Sequence, residues 1–322
     1  MMLERAILVD PKNPYLYNSY ANMLMDKGDF VKAKENFEKA LSLSKTSKER
    51  ACFLMNFAVL NKNNAEIKEA ISKLNDGLKL SRELNDKESE AKYLNILGSC
   101  YNNTGNTGDL LQAVFYFDEA LSIINSLLDI DNNESIQKKY KSLQANILTN
   151  KGISFKNSFR ISGETDEIDN SIILLTRAID IEESLGNKPF LGRHYGNLAE
   201  AYRQKGDVPS SKKYLAKCAN IFNEHGSLKE KLTSRINLAL HESEFGDNAD
   251  AIKEFQSILQ ENNLDNLPKL KTITLANCGI ALINANQKEP AKKLLNNALS
   301  LAVRHNFAYE IDVIRQALSE TK

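Results

Sequence analysis

Tryptophan is absent from this 322-residue sequence, proline and cysteine are scarce, and neither sign of charge predominates. The 42 basic and 42 acidic residues leave no net charge to attract a polyanion, which argues against nucleic acid or a membrane surface as a partner. No apolar run approaches the roughly 20 residues that span a bilayer, and the opening residues carry charges where a signal peptide needs an apolar core. We therefore expect a cytoplasmic protein.

Metal and catalytic motifs are missing as well. The four cysteines lie far apart and predict a reducing compartment rather than a zinc site or a disulfide framework: Cys52, Cys100, Cys218 and Cys278. The four histidines are equally scattered, and only the first lies near a candidate binding residue: His194, His225, His241 and His305. The sequence has no glycine-rich phosphate loop and no nucleophile motif. We expect no cofactor, no metal site and no enzyme activity.

One frame of residues recurs along the chain. In NLAEAYRQKGDVPSSKKYLAKC (197–218), the small residue Ala199 is followed three residues later by Tyr202, then by a Gly-Asp pair, then by packing residues at intervals of four and three. Seven such units can be traced, and their final small or apolar residues stand at positions 40, 77, 120, 178, 218, 258 and 298. Seven copies in phase indicate a repeat protein.

Each frame predicts a helix-turn-helix hairpin. Apolar residues spaced three and four apart form one stripe on a helix, and a small residue in that stripe lets a second helix approach closely. Glycine can take the left-handed conformation after the first helix, and the aspartate can cap the second. Five of the six prolines fall where a first helical turn should begin, at positions 14, 189, 209, 268 and 290.

The frame small-x-x-aromatic, Gly-Asp, Ala-x-x-x-Phe-x-x-Ala resembles the tetratricopeptide repeat, and PYLYNSYANMLMDKGDFVKAKENFEKALSLS (14–44) matches it almost position for position. The resemblance implies an all-α fold, a right-handed α-solenoid of about seven helix-turn-helix repeats with half-repeats at both ends. The spacing of 40 in the second half of the chain exceeds the usual ~34. It is similar to the long-repeat variants of kinesin light chain, cell-polarity adaptors and bacterial signalling proteins.

The whole chain, 1–322, is expected to form a single superhelix with a carboxy-terminal capping helix at 307–320. The expected repeats lie at approximately 14–47, 51–84, 91–124, 145–185, 192–225, 232–264 and 272–305. The fourth departs most from the pattern, because Lys151 stands where an apolar residue is expected.

The resemblance implies that the first helix of each hairpin lines a concave groove. Two residues before the small residue, five of the seven units carry an asparagine: Asn56, Asn150, Asn197, Asn237 and Asn277. A row of carboxamides can hydrogen-bond the backbone of an extended peptide whatever its side chains. The alternative is that asparagine is simply common at this place in the family and in this chain.

Charged residues near the asparagine row would set specificity: Lys92, Arg193, Glu200 and Arg203. The two arginines could clamp a ligand carboxylate, because a guanidinium offers a planar, two-pronged donor. The alternative is that they are solvated surface residues.

Three insertions are a second place to look for function. Residues 102–112 and 158–169 are expected to lengthen turns inside the third and fourth hairpins, and residues 125–140 to lengthen the connection between those hairpins. Such segments either hold a partner or are tolerated surface loops.

These features predict a non-enzymatic module that binds an extended peptide or a partner protein in its groove. Residues 4–11 look like the second helix of a hairpin whose first helix is missing. That fits the carboxy-terminal sensor arm of a larger signalling or defence protein. The alternative is a self-assembly scaffold, a homo-oligomer formed through edge or convex faces.

Overall fold

The computed structural model describes residues 2–102, 106–305 and 307–321, and these residues form sixteen α-helices and no strand. The first nine helices are α1 (Met2–Val9), α2 (Pro14–Asp26), α3 (Phe30–Leu43), α4 (Ser47–Asn63), α5 (Ile67–Glu83), α6 (Lys87–Asn102), α7 (Thr107–Ile130), α8 (Glu134–Ser162) and α9 (Thr165–Leu185). The remaining seven are α10 (Lys188–Lys205), α11 (Val208–His225), α12 (Leu228–Phe245), α13 (Asn248–Leu259), α14 (Pro268–Asn284), α15 (Lys288–Arg304) and α16 (Ala308–Ser319). The predicted all-α class is confirmed.

Contacts divide the chain into two compact units, an amino-terminal unit, Met1–Ile181, and a carboxy-terminal unit, Glu182–Lys322. Inside each unit, consecutive helices pack as hairpins, and the second helix of one hairpin contacts the first helix of the next. Helices α2 and α3 form such a hairpin in the first unit, and α10 and α11 form one in the second. Within the described ranges, no helix is both long and apolar enough to cross a membrane.

The Gly-Asp pairs form the turns of their hairpins. Gly28 has a φ of 80° and Gly206 a φ of 84°, the left-handed conformation that glycine adopts without steric strain. Asp29 and Asp207 then cap the following helices by accepting hydrogen bonds from backbone N–H groups three residues later. Gly246 differs, with a φ of −128°, although the aspartate after it still caps α13.

The small residues of the frame lie where two helices approach most closely. A Cβ atom on Gly98 would come within 2.6 Å of the Phe117 ring, and one on Gly279 within 2.7 Å of Leu295. Each glycine therefore lets the second helix of its hairpin seat a large side chain against the first. The same stripe forms the core, since the side chains of Phe117 and Leu295 are fully buried.

The insertions lengthen helices rather than loops. Helix α7 continues to Ile130 and α8 begins at Glu134, so most of 125–140 is helical. Helix α8 ends at Ser162 and α9 begins at Thr165, so the expected long turn at 158–169 was wrong. Extending a helix satisfies backbone hydrogen bonds that a long loop would leave to water. Of 102–112, residues 103–105 lie outside the described residues, and residues 107–112 belong to α7.

Lys151, the residue that departs from the pattern in the fourth repeat, forms an ion pair with Asp118. Its Nζ atom lies 2.5 Å from Asp118 Oδ1 on α7 and 5.9 Å from the centre of the Phe155 ring. The lysine side chain is only 16% exposed, so its aliphatic part packs while its ammonium group is neutralised.

Candidate functional site

In each unit the first helices of neighbouring hairpins contact one another, and we call the surface that they share the inner face. In the amino-terminal unit α2 contacts α4, α4 contacts α6, and α6 contacts α8; in the carboxy-terminal unit α12 contacts α14, and α14 contacts α16. Second helices of neighbouring hairpins share no comparable contacts among the described residues. The predicted row lies on these helices at Asn56 and Asn150 in the amino-terminal unit and at Asn237 and Asn277 in the carboxy-terminal unit. Helix α10, which carries Asn197, lies beside α12, because Arg203 donates to Glu244 at 3.0 Å and Arg193 lies 3.5 Å from Glu230.

In the amino-terminal unit the row asparagines bond to other asparagines. Asn56 Nδ2 donates to Asn18 Oδ1 at 3.1 Å, which joins α4 to α2. Asn150 Nδ2 donates to Asn95 Oδ1 at 2.9 Å, which joins α8 to α6. Asn18 is only 8% exposed. These amides hold neighbouring first helices together.

Asn150 belongs to a larger polar network. The Asn102 side chain donates to the Asn150 carbonyl at 3.2 Å, and Ser154 Oγ donates to Asn102 Oδ1 at 2.6 Å. Ser154 is buried, so its bond to Asn102 satisfies a hydroxyl group that water does not reach. Both the side chain and the carbonyl of Asn150 are therefore committed inside the protein.

In the carboxy-terminal unit the row asparagines do not pair with other described residues. Asn197, Asn237 and Asn277 lie on α10, α12 and α14, and among the described residues none of the three side chains makes a hydrogen bond. Asn237 is exposed, and the other two are half-buried. Each retains two donors and one acceptor for a ligand.

Lys92 is held by an ion-pair network. Its Nζ atom and that of Lys139 each lie 2.5 Å from a Glu88 oxygen, which ties α6 to α8. Burial alone would raise the Glu88 pKa, but hydrogen bonds from Lys139 and Lys92 bring it below its usual value. The Lys92 charge is thus neutralised within the amino-terminal unit.

Arg203 is also committed. Its Nε and Nη2 atoms donate to the two oxygens of Glu200 at 2.8 Å, and Nη1 donates to Glu244 on α12 at 3.0 Å. Glu200 accepts a further bond from Gln204 at 2.9 Å. The Glu200 hydrogen bond, opposed by burial and assisted by the charges of Glu200 and Glu244, raises the Arg203 pKa.

Arg193 is the groove arginine with open donors. Its Nε atom lies 3.5 Å from Glu230 Oε1, its side chain is 64% exposed, and it makes no hydrogen bond among the described residues. Glu230 is itself held by Ser227, which donates to it through its backbone N–H at 3.0 Å and its Oγ at 2.8 Å. The guanidinium lies 5.7 Å from the Phe190 ring centre. Arg193 and Arg203, similar in sequence, differ in their availability to a ligand.

The reactive side chains near this face are buried and neutral. His194 is 3% exposed, and burial, followed by the Arg193 charge, lowers its pKa to about 4. Burial raises the pKa of Cys218 to about 12 and that of Cys278 to about 11, so both remain thiols at neutral pH. Among residues with described positions, no group of three histidine, cysteine or acidic side chains could hold a metal ion.

The asparagines that pair with the row, Asn18 and Asn95, were not predicted from the repeat pattern. Asn18 and Asn95 stand three residues before the small residue of their own hairpin, one position away from the row. Asn18 is 38 residues from Asn56, close to one repeat length, so this spacing was the available signal. Asn95 is 55 residues from Asn150, because the long α7 and α8 intervene.

Comparisons with known proteins agree with this repeat architecture. A family model for the tetratricopeptide repeat matches residues 14–47 and 193–225. No curated protein matches the sequence.

Several solved structures share the fold. Aspartyl phosphate phosphatase F from Bacillus subtilis aligns with a TM-score of 0.64 at 14% identity, over 89% of this chain and 70% of that chain. A Rap protein complexed with competence and sporulation factor aligns with a TM-score of 0.60 at 13% identity, over 96% of this chain and 85% of that chain. A third structure is a signal transduction ATPase with numerous domains and a tetratricopeptide repeat sensor, from Pyrococcus horikoshii. It aligns with a TM-score of 0.60 at 14% identity, over 97% of this chain and 46% of that chain. At these identities the likeness concerns the fold.

Proposed function

Because the chain belongs to the tetratricopeptide-repeat family, we propose that it is a non-enzymatic module that binds an extended polypeptide on the inner face of its carboxy-terminal unit. The observation that carries this proposal is the row of carboxamides of Asn197, Asn237 and Asn277, which make no hydrogen bond within the part of the chain that the structure describes. An extended backbone offers one N–H and one C=O per residue, and a carboxamide can satisfy both.

The spacing of the row suits such a ligand. Packed helices lie roughly 10 Å apart, and an extended chain covers about 3.3 Å per residue, so one helix step corresponds to about three ligand residues. Three asparagines then reach a segment of about six or seven residues. Because they contact the backbone, they give affinity without dictating side chains.

We assign the amino-terminal asparagines a different role. Asn56 and Asn150 each donate one amide N–H to Asn18 and Asn95, so these bonds fix the orientation of their side chains and leave them fewer groups for a ligand. Lys92 and Arg203 are likewise neutralised by neighbouring carboxylates. These residues shape the inner face, and the carboxy-terminal row contacts the ligand.

A phage-displayed library of random dodecapeptides, panned on the full chain, tests the proposal. We expect peptides that bind the wild type and lose about tenfold or more in affinity for the triple variant Asn197→Ala, Asn237→Ala, Asn277→Ala, since each net hydrogen bond contributes about 0.5–1.5 kcal/mol. The matched control removes three exposed asparagines from second helices: Asn220→Ala, Asn223→Ala and Asn296→Ala.

Two results would reject the proposal. The first is a wild-type chain that enriches no peptide. The second is a set of enriched peptides that bind the row variant and the control variant with equal affinity, while circular dichroism shows that both remain folded.

A sensor role fits this binding mode. The Rap protein is crystallised with competence and sporulation factor, and the Pyrococcus horikoshii ATPase carries a tetratricopeptide repeat sensor. In this chain, ligand binding would bridge α10, α12 and α14 and stabilise their spacing.

Self-assembly is a second candidate, favoured by one surface of the amino-terminal unit. Leu111 and Phe115 lie one turn apart on α7 with 69% and 55% of their surface exposed. Light scattering tests it. A dimer that Phe115→Glu dissociates would support a scaffold, and a monomer at high micromolar concentration would reject it.

A further inference from the structure

The side chains beside the asparagine row change character along the carboxy-terminal unit. Four residues before each row asparagine, one turn away on the same helix face, the chain has Arg193, Thr233 and Ile273. Three residues after each row asparagine it has Glu200, Leu240 and Ile280. The flanks of the row are therefore charged on α10, mixed on α12 and apolar on α14.

At the α10 end, the open group is a cation. Arg203 already neutralises Glu200, whereas Arg193 has uncommitted donors. The charges of Arg193 and Lys229 contribute to lowering the Glu230 pKa, after its hydrogen bonds from Ser227. The guanidinium of Arg193, whose side chain is 64% exposed, is the group in this corner that a ligand carboxylate can reach.

At the α14 end, the open surface is apolar. Ile273 and Ile280 flank Asn277 and are half-buried, with Leu240 of α12 similarly half-buried. The nearby cations are committed, since Lys269 pairs with Glu310 at 3.3 Å and Lys271 pairs with Asp265. An apolar ligand side chain would remove these isoleucines from water, whereas a charged one would lose solvation without a partner.

We propose that the ligand of the asparagine row carries an acidic side chain that binds Arg193 and a bulky apolar side chain that packs on Ile273 and Ile280. This inference rests on the proposed function. The two anchors lie two helix steps apart, roughly 20 Å, which an extended chain spans in about six residues. The ligand is thus an extended segment with an aspartate or glutamate about six residues from a leucine, isoleucine, methionine or aromatic residue.

The two anchors determine the register of the ligand, which the backbone contacts do not. The three asparagines accept any sequence, so they do not define the register of a ligand. A carboxylate on Arg193 gains a charge-assisted hydrogen bond, and an apolar side chain at the other end gains stability by leaving water. Together the anchors select one register and reject basic peptides.

The peptides that depend on the row provide the test. Among dodecapeptides that bind the wild type and not the row variant, we expect an acid and a bulky apolar residue about six positions apart. A chosen peptide should bind Arg193→Glu at least about tenfold more weakly, because a charged hydrogen bond becomes a like-charge contact. Replacing its acid with lysine should restore binding to that variant. The control is Arg315→Glu, the same charge change at an exposed arginine of α16.

The apolar anchor is tested with the same peptide. Ile273→Asp should weaken its binding about tenfold or more, and replacing its apolar residue with serine should weaken wild-type binding similarly. Row-dependent peptides that lack this pattern, or that bind Arg193→Glu as tightly as Arg315→Glu, overturn the anchor proposal and leave the proposed function standing. A lack of any row-dependent peptide overturns both.

Discussion

The two units place asparagine at the same position of their first helices and use it in opposite ways. In the amino-terminal unit, Asn56 and Asn150 donate to asparagines on the preceding first helix. In the carboxy-terminal unit, Asn197, Asn237 and Asn277 make no hydrogen bond among the described residues. A repeat position therefore predicts where a side chain lies, and the neighbouring helix decides whether it is free.

The difference has a simple origin in the sequence. The partners in the amino-terminal unit stand three residues before the small residue of their hairpin. At that position the first helices before Asn237 and Asn277 have Gly196 and Ile236, neither of which has a side chain that can donate or accept a hydrogen bond. The same row is thus a structural tie in one unit and an open surface in the other.

The largest expected difference between the two units is in their loss of stability at acid pH. All four histidines lie in the carboxy-terminal unit, and His194, whose pKa is lowered to about 4, is buried there. The His194 side chain binds a proton more tightly in the unfolded chain than in the folded one. Folding is therefore most stable with respect to this residue above a pH of about 6.5, and stability is lost as the pH falls toward 4. We expect a loss of up to about 3 kcal/mol.

Urea unfolding of the wild type and of His194→Gln across this pH range measures the effect. The variant should show the flatter profile, and His225→Gln, at an exposed histidine, should follow the wild type. Hydrogen exchange should show the acid loss in α10 and α11 before α4 and α5. Equal pH slopes for the wild type and His194→Gln would refute this prediction.

Breaking an asparagine pair should have the next largest effect. Asn56→Ala leaves the buried Asn18 amide without its partner, and we expect it to lower the free energy of unfolding by about 1–2 kcal/mol. Asn237→Ala should instead be neutral or stabilise by up to about 0.5 kcal/mol, because alanine has the higher helix propensity. Urea midpoints measure both.

A double-mutant cycle isolates the pair. Asn18→Ala combined with Asn56→Ala should cost less than the sum of the two single variants, since each single change leaves the other amide unsatisfied. Strict additivity, or equal costs for Asn56→Ala and Asn237→Ala, would show that the pairing carries no energy.

The two groove arginines should show the smallest difference in stability. Arg203→Gln removes a partner from Glu200 and Glu244, and we expect a loss of about 1 kcal/mol that shrinks at high salt. Arg193→Gln should change stability little, because its one ion pair is long and exposed. Thermal unfolding at low and high salt compares them. A larger loss from Arg193→Gln would reverse the assignment of which arginine is free.

The fold was predictable because its signals are local. The Gly-Asp pairs mark turns, and the stripe through Ala199 and Tyr202 marks helix packing, so one hairpin can be read without knowledge of the next. The helical insertions were missed because 125–140 and 158–169 carry no clear periodicity. Long polar helices of that kind are stabilised by neighbours that the local sequence does not reveal.

The candidate site was predictable only in part, because its state depends on contacts between repeats. The position of the asparagine row followed from the repeat, but its pairing did not. Arg203 bonds Glu244, 41 residues away and one helix across. A search for polar residues about one repeat apart would have found this pair and Asn18 with Asn56. It would not have shown that Arg193 stays open, since that depends on Glu230 being held by Ser227.

The central claim is that the carboxy-terminal row, and not the amino-terminal one, contacts the ligand. Isothermal titration of one row-dependent peptide into three folded proteins tests it most directly: the wild type, the triple variant at 197, 237 and 277, and the single variant Asn56→Ala. We predict a loss of about tenfold or more for the triple variant and a change within about twofold for Asn56→Ala. Full affinity in the triple variant, or an equal loss in Asn56→Ala, would contradict the account.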